Sequence, residues 1–483
     1  MEKQEINVAI INLTLRLGAK LRYLPMGLGY VMTAVRDAGY KFDFIDQDIY
    51  AYTQDEVIDL LQKNKKEYDI ILMGSIVTGY RLVKSMVSKL KQAFPNGLVC
   101  VGNSVASSIP NELLTYTDTD IAVLGEGDVT VVKILDALSQ GTPLSDVAGI
   151  AFKDSQGEIH FTKPRPAEPD ISKFYVDFAL FDMEKYIPFM TESIKPPMPP
   201  VDPLRVTTIN TARGCVNKCS FCYQVFRDER YRRRSMESIM REIQKVIEEY
   251  HVNYISFKDD LTFYSKKVLE EFVEWKEKLG LEFYWEGLIR GDMFYNEDED
   301  MELLLRLKDN GCWVLFYSLE SSNPEILKAM RKHVDVEQFK KQTHIIQKAG
   351  INVATSLIFG YPQETLETIA DSFDVCMSLG IPLSVGYLMP QPKTEVFDYA
   401  VKNGYITDIE KYLLSMGDRQ DFRINISKIP DDVLVKTVEE NVRRCHRVVQ
   451  VESFVDNFFN FDSDQGGDTV YTSSSSEKER KKE

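Results

Sequence analysis

Histidine, tryptophan and cysteine are scarce in this chain: 5, 3 and 7 among 483 residues. An odd number of cysteines, three of them in one short segment, does not make a disulfide framework. Free thiols in a reducing compartment fit better, so a cytoplasmic protein is expected. Positive charge is also short, with 58 Lys and Arg against 74 Asp and Glu and a formal net charge of -16. Non-specific nucleic-acid binding needs cations to neutralise phosphates, so no nucleic-acid partner is expected. No apolar run reaches membrane-spanning length, which predicts no membrane span. The start, Met1-Glu2-Lys3-Gln4-Glu5, is charged and leads into a short apolar stretch, unlike a secretory signal. Core-forming residues are present in normal measure: 44% are hydrophobic, over a length that suits two or three domains.

Three of the scarce cysteines stand together. The stretch Arg213-Gly214-Cys215-Val216-Asn217-Lys218-Cys219-Ser220-Phe221-Cys222-Tyr223 spaces Cys215, Cys219 and Cys222 as C-x3-C-x2-C. Three thiolates hold three irons of a [4Fe–4S] cube and leave the fourth open to a chelating small molecule. A structural zinc site usually needs four ligands in two short pairs, and no nearby His or Cys completes one. Cys100, Cys312, Cys376 and Cys445 show no cluster spacing and read as small core residues.

This spacing, with Phe221 before the third cysteine, resembles the signature of the radical S-adenosylmethionine (radical SAM) superfamily. The resemblance implies that the open iron takes the amino and carboxylate groups of S-adenosylmethionine. Reductive cleavage then gives a 5′-deoxyadenosyl radical, with an external electron donor such as flavodoxin or ferredoxin. It also implies a binding set for S-adenosylmethionine. Phe221 and Tyr223 lie in the cluster motif, and Asp259 and Asp260 lie near the amino group, where carboxylates suit an ammonium by charge pairing. Arg290 would pair with the methionine carboxylate; a surface salt bridge is its competing reading. Glu320 and Ser321, in Tyr317-Ser318-Leu319-Glu320-Ser321, would hold the ribose or amino acid, and Gly360 would approach the adenine.

About six βα units follow from Arg205 onward, which predicts a partial (βα)6 TIM-type barrel with its active site on the loops at the strands' C-terminal ends. Arg227, Arg230, Arg232, Arg233 and Arg234 crowd one of those loops. They read equally as a solvated or ion-paired loop and as contacts to an anionic ligand group.

The N-terminal third alternates strands near Ile6–Leu13, Lys41–Asp46, Tyr68–Gly74, Leu98–Gly102 and Ile121–Leu124 with helices. That pattern predicts a doubly wound parallel sheet, whose ligands bind beyond the carboxyl ends of the strands. Placed before a radical SAM motif, it resembles the Rossmann-like cobalamin-binding domain of cobalamin-dependent radical SAM enzymes. The segments Leu24-Pro25-Met26-Gly27-Leu28-Gly29-Tyr30 and Gly125-Glu126-Gly127-Asp128 carry the resemblance, with Asp128 where that family often has Glu. It implies cobalamin contacts from Gly27, Ser75, Thr78, Gly102, Asn103, Gly125, Glu126 and Gly127. No Asp-x-His-x-x-Gly occurs, so bound cobalamin should lack a histidine on its lower face.

The expected organisation is an α/β chain: a cobalamin-binding domain over 1–145, a hairpin and Pro-rich linker over 146–203, the barrel over 204–400, a helical region over 401–460 and a disordered tail over 461–483. The implied reaction is methylation of an unactivated carbon or phosphorus of a small-molecule substrate. Radical ring formation, rearrangement or oxidation without methyl transfer is one alternative. A non-catalytic iron–sulfur or corrin binding protein is the other.

Overall fold

A computed structural model describes residues 5–15, 21–227, 229–417 and 420–449. The tail expected to be disordered lies outside the described residues. The chain divides into two compact units, the first built mainly from residues up to Tyr186 and the second mainly from Ile187 onward.

In the first unit Val8–Asn12 (β1), Phe42–Asp46 (β2), Ile70–Gly74 (β3), Leu98–Gly102 (β4) and Ile121–Val123 (β5) run parallel. The hairpin Ile150–Lys153 (β6) and Ile159–Phe161 (β7) adds two antiparallel strands, giving the order β2-β1-β3-β4-β5-β6-β7. The hairpin thus belongs to the sheet and does not stand as a separate bridge. Every residue of β1 is buried, as a strand covered on both faces requires; its continuous apolar run is the sequence form of that burial. Helix Gln54–Lys63 starts at a capping box, in which Thr53 and Glu56 each satisfy the other's backbone N–H. The strand order reverses between β1 and β3, and in such sheets the crevice at the reversal takes the ligand.

In the second unit Val206–Ile209 (β8) is followed by a short antiparallel pair, Ala212–Arg213 (β9) and Arg232–Arg233 (β10). Then come Tyr254–Phe257 (β11), Tyr284–Leu288 (β12), Cys312–Phe316 (β13), Asn352–Phe359 (β14) and Leu383–Tyr387 (β15). Strands β15-β14-β13-β12-β11-β8 form one six-stranded parallel sheet, curled as a half-barrel. One face of β11 and β12 packs on helix Lys266–Leu279: Phe257, Trp285 and Phe263 meet Phe272 with ring centroids 5.1 to 5.6 Å apart. Side chains alternate along a strand, so Tyr254, Ser256 and Glu286 point the other way, into the curl of the sheet. The register confirms the alignment, with Ser256 opposite both Thr208 and Glu286.

The helical region after 401 is shared between the units. Ile409–Ser415 falls in the first, where Glu410 pairs with Lys84. Asp431–Val449 falls in the second and packs on Leu366–Ser378.

Candidate active site

The cysteine loop leaves the carboxyl end of β8. Gly214 sits at φ +83, a left-handed conformation that glycine adopts without a Cβ clash, and the turn delivers Cys215. The middle of the loop is fastened to the unit. The Ser220 N–H donates to the Met330 carbonyl at 2.8 Å, and its hydroxyl donates to the Ala329 carbonyl at 2.7 Å. Cys219 is buried, Cys215 and Cys222 are half-buried, and all three are free thiols. The Asn217 N–H points at the Cys215 sulfur at 3.5 Å, a contact that favours thiolate. Phe221 packs edge-on against Tyr361 at 6.4 Å, which walls one side of the loop.

Among the described residues no three His, Cys, Asp or Glu side chains stand close enough to share one metal ion. A cube takes one thiolate per iron and does not need such convergence. The remaining cysteines offer no fourth ligand from this loop. Cys100 lies in β4, Cys312 in β13, and Cys376 and Cys445 on helices. Burial pushes all four thiols up, Cys445 to about 11, so they stay protonated and inert. The donor set fits a cluster with one open iron.

Asp259 and Asp260 part company. The Asp259 carboxylate accepts from the Thr211 N–H at 2.8 Å, the Thr211 hydroxyl at 2.7 Å, the Ala212 N–H at 3.1 Å and Asn210 Nδ2 at 3.2 Å. Burial pushes its carboxyl up to about 6, against the pull of those bonds. Its oxygens are therefore occupied by the chain that leads into the cysteines, and it holds the loop where the sequence led us to expect an ammonium contact. Asp260 has no hydrogen bond or ion pair among the described residues and reaches solvent. Surrounding protein atoms still raise its pKa by desolvation, as in a recess. Arg290 forks onto Asp292 at 2.9 and 2.6 Å on the surface, so its guanidinium is used in the salt bridge that was the competing reading.

Glu320 follows β13 at φ +68, a strained position for a residue with a Cβ. Its two oxygens receive Lys332 Nζ at 3.4 Å and the Ser356 hydroxyl at 3.2 Å. Ser321 beside it is buried and accepts from the Asn323 N–H at 3.2 Å. Gly360, just past β14, takes φ +108. Its N–H donates to Glu364 at 3.3 Å, and the Thr368 hydroxyl donates to the other Glu364 oxygen at 2.6 Å. Burial pushes the Glu364 carboxyl up to about 7. Sequence reasoning missed Glu364; the available signal was an acidic residue just before the helix-capping Thr365. Of the crowded arginines, Arg233 pairs with Glu271 at 2.9 Å and Arg234 with buried Glu242 at 2.6 Å, so these two serve the fold. Tyr223, the last residue of the cysteine motif, is half-buried.

In the first unit Ser75, Thr78, Gly102, Asn103, Gly125 and Gly127 all lie at or just past the carboxyl ends of β3, β4 and β5. Hydrogen bonds tie these turns together: the Val77 N–H donates to Ser104 at 2.8 Å, and the Gly125 N–H to Ser107 at 2.9 Å. Asn103 and Gly125 hold positive φ, +68 and +77. A Cβ on Gly127 would come within 3.1 Å of Val31, whereas one on Gly27 would meet nothing within 4 Å. Leu15 and Ile76 stay exposed, at 41% and 40%, just past β1 and β3, an apolar surface that suits the flat face of a macrocycle. Glu126 differs from expectation. It is buried, pairs with Arg165 at 3.4 Å and accepts the Glu168 N–H at 3.0 Å, so it ties down the segment after the hairpin. The first unit's one histidine, His160, stands on the edge strand β7, where its Nε2 meets Asp154 at 2.7 Å, and no histidine occurs in the turns after β3, β4 and β5.

Comparison with known proteins agrees with both halves of this geometry. Residues 209–376 match the sequence profile of the Radical SAM superfamily, and residues 14–135 match that of the B12 binding domain. An uncharacterized methyltransferase of Pyrococcus horikoshii is 26% identical over 391 residues, covering 79% of each chain. A cytidylyl-2-hydroxyethylphosphonate methyltransferase of Streptomyces wedmorensis is 24% identical over 82% of this chain and 81% of its own. An anaerobic magnesium-protoporphyrin IX monomethyl ester cyclase of Cereibacter sphaeroides is 25% identical over 80% of this chain and 63% of its own. Among solved structures, the radical S-adenosylmethionine methyltransferase TsrM of Kitasatospora setae, with cobalamin and a [4Fe–4S] cluster bound, superposes with a TM-score of 0.64 at 17% identity. That match covers 84% of this chain and 80% of TsrM and shows a shared fold.

Proposed function

This chain belongs to the cobalamin-dependent radical S-adenosylmethionine enzymes, and from that premise we propose that it methylates an unactivated carbon or phosphorus of a small-molecule substrate. The observation that carries the reading is the pairing of one three-cysteine loop, with no fourth cysteine beside it, and a B12-type sheet with no histidine in the turns after its parallel strands. When bound, the cluster would supply the electron that cleaves S-adenosylmethionine, and cobalamin would supply the methyl group.

The chain's own residues do the holding. Cys215, Cys219 and Cys222 would ligate three irons. Asp260 would pair with the ammonium of S-adenosylmethionine, since its carboxylate has no other partner among the described residues. Glu320 would accept from ribose or ammonium donors, its strained backbone being held by Ser356 and Ile358. Gly360 would let the backbone approach the adenine, and Phe221 with Tyr361 would keep water from the sulfurs. Turns at Ser75, Asn103 and Gly125 would line the corrin, with Leu15 and Ile76 as an apolar floor. Electrons would come from a small donor protein such as flavodoxin or ferredoxin.

A second reading, radical ring formation or oxidation without methyl transfer, is favoured by the cyclase relative. The test is anaerobic reconstitution with S-adenosylmethionine labelled in its methyl group, plus reductant and candidate substrates. Formation of 5′-deoxyadenosine with label in a product supports methyl transfer. 5′-Deoxyadenosine with an unlabelled, hydrogen-poor product supports the second reading.

A further inference from the structure

The concave face of the half-barrel holds a charged cluster that none of the expected roles uses. Glu286 of β12 accepts from the Ser256 hydroxyl, from Tyr254 at 3.1 Å and from Lys258 Nζ at 3.1 Å. Burial pushes the Glu286 carboxyl up, but the Lys258 charge and these donors outweigh it and leave the group below the ordinary range. Tyr254, by contrast, is held neutral by burial and by the Glu286 charge. The interior of a parallel βα barrel is ordinarily packed with branched apolar side chains. Here it carries a fixed carboxylate whose oxygens are all engaged by the chain, and an ammonium that stays 45% exposed. Thr208 of β8, opposite Ser256 on the same face, is buried with no partner for its hydroxyl among the described residues.

The two charges are not equivalent. Glu286 is saturated from within, so it serves to hold Lys258 in place. Lys258 lies one residue before the loop clamp Asp259, and Asn210 Nδ2 fixes its carbonyl at 3.1 Å. We propose that Lys258, positioned by Glu286, is an anchor inside the half-barrel for an oxyanion, a carboxylate or phosphonate-type group, of a bound small molecule. That oxyanion can come from the substrate or from the carboxylate of S-adenosylmethionine; both are recognised by the same charge-assisted bond. The inference rests on the function proposed above, and its test needs no turnover.

Equilibrium dialysis of the anaerobically reconstituted full chain separates the sources. The proteins are wild type, Lys258→Gln, Lys258→Arg and Glu286→Gln, at constant chloride. The probes are S-adenosylmethionine, decarboxylated S-adenosylmethionine and methylphosphonate. Methylphosphonate binding to wild type and Lys258→Arg, lost in Lys258→Gln with S-adenosylmethionine affinity unchanged, assigns a substrate anion. A loss of roughly tenfold or more in S-adenosylmethionine affinity in Lys258→Gln, with the decarboxylated form unaffected, assigns the cofactor carboxylate. In either case Glu286→Gln weakens the same probe. Lys258→Gln that keeps full iron content and binds all three probes as wild type does overturns the proposal and leaves the radical chemistry untouched.

Discussion

Asp259→Ala perturbs the cysteine loop without touching a cysteine. The Asp259 carboxylate accepts four hydrogen bonds, from the backbone of Thr211 and Ala212, the Thr211 hydroxyl and Asn210. Alanine leaves two amides and a hydroxyl buried without an acceptor. Each such group costs about 1–3 kcal/mol; some relaxation lowers the sum, so a loss on the order of 3–5 kcal/mol is expected. Asp259→Asn keeps one carbonyl oxygen for the two amides and should cost only about 1 kcal/mol. The sign of the pH dependence follows from a folded pKa of about 6, raised by burial from the ordinary 3.8. The folded state holds the proton more tightly, so the wild type loses stability relative to Asp259→Asn as pH rises from about 4 to 6. The assays are urea unfolding and iron and sulfide per chain after anaerobic reconstitution. The alanine variant should unfold earlier and bind less iron, while the asparagine variant should fill normally. If Asp259→Asn fills with iron and unfolds like wild type, yet loses S-adenosylmethionine affinity, Asp259 contacts the cofactor and the clamp assignment is refuted.

Glu364 has a folded pKa of about 7 against 4.5. Its proton therefore stabilises the fold below about pH 4.5, and about 3 kcal/mol is lost as pH rises to 7. Glu364→Gln should flatten that part of the stability-versus-pH curve, read by urea midpoints. Gly360→Ala forces an L-residue to φ +108 and should cost about 1–3 kcal/mol, seen as a lower Tm. Arg165→Ala leaves Glu126 buried without its cation and should destabilise the first unit by about 3 kcal/mol, with no change in iron content.

Much of this was legible because local signals agreed with the global fold. Ser235 before an apolar period is the ordinary signal of a helix start, and in helix Met236–Tyr250 its side chain caps by accepting the Ser238 N–H. Leu98–Gly102 was legible as a buried strand from its apolar run between helices. Helices Asn103–Ser108 and Pro110–Tyr116 escaped notice, because small polar residues and Pro110 read as a turn. Helix Met183–Glu192 also escaped, since Pro188 inside it argues against helix. In the site, spacing identifies the cysteines, but no pattern tells which of two adjacent aspartates turns inward. Asp259 and Asp260 point apart, and only packing decides which one holds the loop. Arg290 is alike: its fork onto Asp292, two residues on, is a contact that motif spacing does not reveal. Glu126 was read as a ligand contact, and its partner Arg165 lies too far along the chain for spacing to reveal.

The most direct test is the electron paramagnetic resonance spectrum of the reduced, reconstituted protein, recorded with and without S-adenosylmethionine beside Cys219→Ala. The account predicts about four irons per chain, a [4Fe–4S]⁺ signal that changes when S-adenosylmethionine is added, and loss of both iron and signal in Cys219→Ala. A signal indifferent to S-adenosylmethionine, or a cluster that survives loss of Cys219, would contradict it.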